Sequence, residues 1–192
     1  MQTAKTVMVL DCLGQEVLNA KLPKKLRLVE TNRRDAEPMA LCDTFDQGLG
    51  LSGRLLVQIG GDWVLFDRDG MVAQDTAPHP PFVQYLTKGP LREALSDVPA
   101  LRALLPLVDG QCRRHDLSLL DDEDKTVARV SLLALSSPSG AIALATLHGV
   151  RGYDKALDRL CAALAPNALQ PGDMAEQVHA RDNMTAARNH TR

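Results

Sequence analysis

Aromatic side chains are scarce in this chain, with one Trp, two Tyr and three Phe among 192 residues. A surface that stacks bases needs several π-faces in succession, so a base-stacking platform is not expected. An excess of one charge is missing too. Lys and Arg total 22 against 24 Asp and Glu, a net charge of −2, which argues against a basic nucleic-acid binder. No apolar run approaches the ~20 residues needed to span a bilayer. The most apolar stretch, Ala141 to Leu147, is strand-sized. Neither nucleic acid nor membrane is therefore expected as a partner. Met1 to Leu10 has too short an apolar region for a secretion signal.

Metal and nucleophile signatures are absent as well. Cys12, Cys42, Cys112 and Cys161 form no C-x-x-C, so a zinc ribbon is unsupported and the four read as reduced, cytoplasmic thiols. His79, His115, His148, His179 and His190 are scattered, none at metal-ligand spacing from another ligand. The chain has no G-x-x-x-x-G-K-[ST], H-E-x-x-H, G-x-S-x-G or G-x-G-x-x-G.

What the chain does have is enough apolar material to fold. Hydrophobic residues make up 45% and charged residues 24%, a globular balance. At this length about 70% of the unfolded surface can be buried. Strand signals dominate. Thr6 to Leu10 is apolar and β-branched, Gly14 follows as a turn, and Glu16 to Leu22 is expected to return as the second strand of a hairpin. Val64 to Ala73 reads as another hairpin with Asp69-Gly70 at its tip, a pair suited to the left-handed turn conformations. Leu119 to Ala128 reads as a third, with the acidic tip Asp121 to Asp124.

Pro78 to Pro81 cannot enter a ladder and reads as an extended loop. Phe82 to Leu86 and Pro90 to Leu105 read as helical, the latter from Leu91, Leu95, Val98, Leu101, Leu104 and Leu105 at three-to-four spacing, divided by Pro99. Gln111 to Leu120, Thr126 to Leu135 and Ala141 to His148 form a meander. A helix from about Tyr153 to Leu164 then places Ala156, Leu157, Leu160, Cys161 and Leu164 on one face, and Pro166 ends it. The expected organisation is a domain over residues 1–166 and a linker or flexible tail over 167–192. Unaided, this pattern gives an α+β, mainly antiparallel protein.

Leu41-Cys42-Asp43-Thr44-Phe45-Asp46, then Leu49, Gly53 and Arg54-Leu55-Leu56-Val57, resembles the CYTH, or triphosphate tunnel, superfamily. Lys125-Thr-Val-Ala-Arg129 and Arg151-Gly-Tyr-Asp-Lys-Ala156 are similar to segments of the degenerate CYTH-like part at the N-terminus of bacterial CHAD-domain proteins. The motifs run in the same order over roughly Val7 to Leu164. The resemblance implies an antiparallel sheet forming a closed or partly open tunnel, with flanking helices and a C-terminal helix. It also implies a phosphate-rich anion, triphosphate or polyphosphate, as ligand and a CHAD-type helical domain as partner. The chain ends before any such domain, leaving fragment, truncated gene and stand-alone relative as alternatives.

One departure weighs heavily. The tunnel hydrolases hold divalent metal with an acidic-x-acidic-x-Lys strand, whose period of two aims all three groups into the tunnel. Here the nearest segment, Lys24 to Glu30, is basic instead. No catalytic residue, metal site or cofactor is therefore assigned, and Mg or Mn is implied only if the chain is a hydrolase. Lys25, Arg27, Arg54, Arg113, Arg114 and Arg129 are the candidate anion-binding residues, since guanidinium forks suit phosphate oxygens; solvated charges paired with Asp43 or Asp116 are the alternative. Asp43 and Thr44 suit capping of a following helix, with Phe45 and Asp46 completing that motif. Arg151 and Tyr153 mark either a partner-facing element or a strand-to-helix turn. Trp63, after Gly60-Gly61-Asp62, reads as a core or rim aromatic. The expected function is a non-catalytic accessory or scaffold module. The alternatives are a divergent metal-dependent triphosphate hydrolase using acids such as Glu16, Glu30 and Asp116, and a protein-interaction module without a small ligand.

Overall fold

The computed structural model describes residues 5–11, 14–67, 70–76, 82–138 and 140–169. The class is α+β with a mainly antiparallel sheet. Among these residues nine strands follow in chain order: β1 (Lys5–Leu10), β2 (Arg27–Arg33), β3 (Glu37–Asp43), β4 (Leu55–Ile59), β5 (Asp62–Asp67), β6 (Gly70–Thr76), β7 (Leu105–Leu120), β8 (Thr126–Ser137) and β9 (Gly140–Gly149). Four α-helices punctuate them: α1 (Gly14–Leu18), α2 (Gly48–Leu51), α3 (Pro90–Ala94) and α4 (Asp154–Leu164). Among the described residues no helix is long and apolar enough to cross a membrane.

The described residues fall into two compact units. Unit 1 draws on Met1–Ala36, Cys112–Ser136 and Ala141–Leu169, and unit 2 on Glu37–Gln111 with Ser137–Gly140. In unit 1 the hydrogen-bonded strand order is β1-β9-β8-β7, with β2 on β7. One face of this sheet is apolar. Leu117 and Leu119 of β7, Ala128, Val130 and Leu132 of β8, and Ala143, Ala145 and Leu147 of β9 bury there with Val17 of α1 and Ala156, Leu157, Leu160 and Leu164 of α4. The three-to-four spacing read from α4's sequence is therefore its buried stripe. Past α4, Asp11 N–H donates to the Asn167 carbonyl and Leu169 N–H to the Val9 carbonyl, both at 2.8 Å, so the chain runs on beside β1.

In unit 2 the order is β7-β3-β4-β5-β6. Leu49, Leu56, Trp63, Leu65, Leu86, Leu91, Leu95 and Leu104 form its core, and Trp63 is fully buried. The β5–β6 hairpin is present, with Asp67 opposite Gly70; Asp69 lies outside the described residues, as do Pro78 to Pro81.

Two expectations are corrected. Glu16 to Leu22 is not a return strand. Gly14–Leu18 is helical, and β1 pairs antiparallel with β9, Lys5 opposite His148 and Leu10 opposite Ala143. A five-residue amphipathic segment satisfies either period, and the distant uncharged strand is the better partner for a β-branched one. Pro90 to Leu105 is helical only over Pro90–Ala94, and Leu105 already opens β7. Leu95, Val98 and Leu104 are buried nonetheless, so the spacing marked burial rather than continuous helix.

β4 and β5 are joined by Gly60-Gly61. Gly60 has φ +58°, a left-handed conformation, and a Cβ there would lie 2.9 Å from Glu37 Oε2. Gly60→Ala is therefore expected to lower the unfolding free energy by about 1–2 kcal/mol, read as a reduced urea midpoint.

Candidate functional site

Alternation along the unit 1 strands gives the apolar face an opposite. In β7, Leu117 and Leu119 point to the core, so Arg114, Asp116 and Ser118 stand on the other face. In β8, Ala128 and Val130 are in the core, which puts Arg129 and Ser131 opposite; Ser131 Oγ lies 3.4 Å from Asp116 Oδ1. In β2, Arg27 pairs with Leu120 and Val29 with Ser118, so Arg27 shares that side. Thr146 and His148 of β9 join them. Asp116 is the only carboxylate on this face among the described strand residues of unit 1. Its oxygens also accept from Asn32 Nδ2 at 3.2 Å.

The six candidate cations do not form one cluster. Arg27, Arg114 and Arg129 share the polar face. Arg113 points the other way, along the row of His115 and Leu117. Lys25 sits in the turn before β2 rather than on a strand. Arg54 lies in unit 2 just before β4 and is already committed. Its Nη atoms reach both Asp97 carboxylate oxygens at 2.8 and 2.7 Å and the Ala94 carbonyl at 3.2 Å, while its Nε meets Ser52 Oγ at 2.9 Å.

Two of the six, Lys25 and Arg27, face the acidic tip of the β7–β8 hairpin. Lys25 Nζ is 3.1 Å from Asp122, and Arg27 Nη2 is 2.6 Å from Asp124. The Lys25 hydrogen bond, then its charge, holds the Asp122 carboxyl below the usual carboxylate range. Asp121 is used internally, accepting the Glu123 and Lys125 backbone N–H groups at 3.0 and 2.9 Å. Arg129 and Arg113 have no ion-pair partner among the described residues. A cleft of about 570 Å³ opens between the tip, Lys25 and the start of α4, where Tyr153, Lys155 and Arg159 line it with Asp122 and Asp154. Arg151 is exposed at the turn before α4, whose Gly152 has φ +87°.

A partly buried pair that sequence reasoning missed lies at the edge of the apolar face. His115 Nδ1 is 2.5 Å from Glu30 Oε1, with the His side chain 9% and the Glu 29% exposed. Thr31 is an extra residue in β2: Glu30 opposes Leu117 but Asn32 opposes Asp116. That bulge puts Glu30 and Asn32 on opposite faces, and no local pattern in the sequence announces it.

The acids of the hydrolase alternative are not gathered. Glu30 faces the core side, Asp116 the polar side, and Glu16 is exposed on α1. Among the described residues no three His, Cys, Asp or Glu side chains form a group that could hold a metal ion. Cys42, Cys112 and Cys161 are free thiols. Burial, then the Asp109 and Asp43 charges, push Cys42 up to about 12, so it stays protonated at neutral pH.

Asp43 and Thr44 organise the loop into α2. The buried Asp43 carboxylate accepts from the backbone N–H groups of Thr44 (2.6 Å), Leu49 (2.9 Å) and Gly50 (2.8 Å). Thr44 Oγ1 accepts from Gly48 N–H at 2.9 Å. Asp46 is 3.1 Å from Arg102, and the Phe45 ring is exposed.

No family model and no curated protein matches the chain. Among solved structures, a Vibrio parahaemolyticus protein described as a "putative adenylate cyclase" is similar with a TM-score of 0.43 and 13% identity, over 88% of this chain and 95% of that one. This is a coarse likeness of chain path, and no residue role is taken from it.

Two outcomes test the local chemistry. Asp43→Ala leaves three amides without their acceptor and is expected to lower the unfolding free energy by about 2–4 kcal/mol, measured by urea denaturation. The Arg54 hydrogen bond, and then its charge, hold Asp97 below its ordinary value. A carboxyl depressed in the folded state stabilises above its unfolded pKa, and that contribution is lost as pH falls through the folded value. Arg54→Met should therefore lower the melting temperature at neutral pH more than at about pH 2.

Proposed function

We propose that this chain is a non-catalytic CYTH-like module that binds a phosphate-rich anion, triphosphate or polyphosphate, on the polar face of the unit 1 sheet. One observation carries the reading: Arg27, Arg114 and Arg129 share that face with Asp116, its one carboxylate among the described strand residues. Guanidinium forks match phosphate oxygens in pairs. Ser118, Ser131 and Thr146 add hydroxyls that donate to or accept from an oxyanion. Arg27 is engaged by Asp124, but that pair is exposed on both sides, and exposed pairs hold by under about 1 kcal/mol. A polyanion can therefore displace Asp124. The same reading includes a cytoplasmic setting and support for a CHAD-type helical domain, as in the proteins the sequence resembles.

Calorimetric titration with tripolyphosphate tests the reading. Binding is expected to weaken as salt rises. Arg27→Gln with Arg129→Gln should weaken it by about tenfold or more, while Asp124→Asn should strengthen it. No binding, or binding indifferent to those arginines, would overturn the site. Phosphate release with Mg or Mn at ordinary enzyme rates would replace the module with the hydrolase reading.

A further inference from the structure

Unit 2 exposes large apolar side chains that its own core does not use. Phe45 is 83% exposed, Leu51 83% and Leu101 85%. Phe45 and Leu101 sit on neighbouring loops, because the residues that follow them, Asp46 and Arg102, form an ion pair at 3.1 Å. Leu51 ends α2, six residues beyond Phe45. In a chain with three Phe in all, one held almost fully in water is costly.

The loop that carries Phe45 is also held in shape. The three backbone N–H groups bound by the Asp43 carboxylate and the Gly48 N–H bound by Thr44 fix the chain on both sides of it. Binding through this ring would then lose little loop entropy, the condition under which an exposed aromatic becomes a binding hot spot.

We propose that this patch is the contact through which two copies of the chain associate about a two-fold axis. The charges beside it indicate the occupant. Asp46 and Arg102 are one acid and one base on the same patch, so the surface is complementary to itself, as a two-fold interface requires. Arg102 of each copy can meet Asp46 of the other while Phe45 and Leu101 are buried between them. A net charge of −2 sets up little repulsion between copies. This inference does not depend on the anion site, which uses residues of unit 1.

Sedimentation velocity over a concentration series tests it. The unaltered chain is expected to shift from monomer to dimer, and Phe45→Ser and Leu101→Ser each to weaken association by about tenfold or more. Both side chains are exposed, so the thermal melt of each monomer should be unchanged. Asp46→Arg alone and Arg102→Asp alone should stay monomeric, while an equimolar mixture of the two should form a heterodimer, a result the broken in-chain pair cannot produce. A chain monomeric at every concentration would overturn the proposal. A dimer unaffected by all four variants would overturn it equally.

Discussion

In unit 1 the helices α1 and α4 cover one face of the sheet, and the pleat then determines what the other face carries. A strand residue next to a core-facing Leu, Val or Ala points to the opposite face, where Cys112 and Leu144 are buried beside the polar side chains. Arg129 is bracketed by the buried Ala128 and Val130, and Asp116 precedes the buried Leu117. Their positions therefore follow from the burial of their neighbours and need no attraction between the charges themselves. The polar face is a consequence of the apolar one, and its composition decides whether it can do anything. Among the described strand residues of unit 1 that face carries Arg27, Arg114, Arg129 and Asp116, with Arg27 also reaching Asp124 at the hairpin tip.

The cations near the hairpin tip are governed differently. Lys25 and Arg27 are matched by Asp122 and Asp124 across distances of 3.1 and 2.6 Å. Those pairs are exposed and exchangeable, whereas the Arg54 pairing in unit 2 is supported by a backbone carbonyl and a serine hydroxyl as well. Arg54 thus behaves as a structural tie between the loop before β4 and the segment after α3. The same residue type serves two ends, and the number of hydrogen bonds each guanidinium has already made separates them.

Much of the fold was legible in the sequence. The meander of β7, β8 and β9 and the stripe of α4 follow from periodicities long enough to be unambiguous. The short α1 was not legible, since five residues cannot distinguish a period of 3.6 from one of two. Arg113 and Arg114, both candidates from the sequence, are adjacent residues of β7 and stand on opposite faces, as alternation requires. The pairing of Arg54 with Asp97 was beyond reach, being set by how α3 packs. So was the partly buried contact of His115 with Glu30, which depends on a register between strands far apart in the chain.

The bulge at Thr31 has an electrostatic consequence. With the extra residue looped out, Asn32 opposes Asp116 and Arg33 opposes His115. Were β2 to pair without it, Thr31 would oppose Asp116 and Arg33 would fall opposite Arg114. A full positive charge would then cross to the other side of the sheet with no residue replaced. Loss of the bulge with its residue retained is thus a charge mutation in disguise, whereas deleting Thr31 would keep Asn32 opposite Asp116 and Arg33 opposite His115.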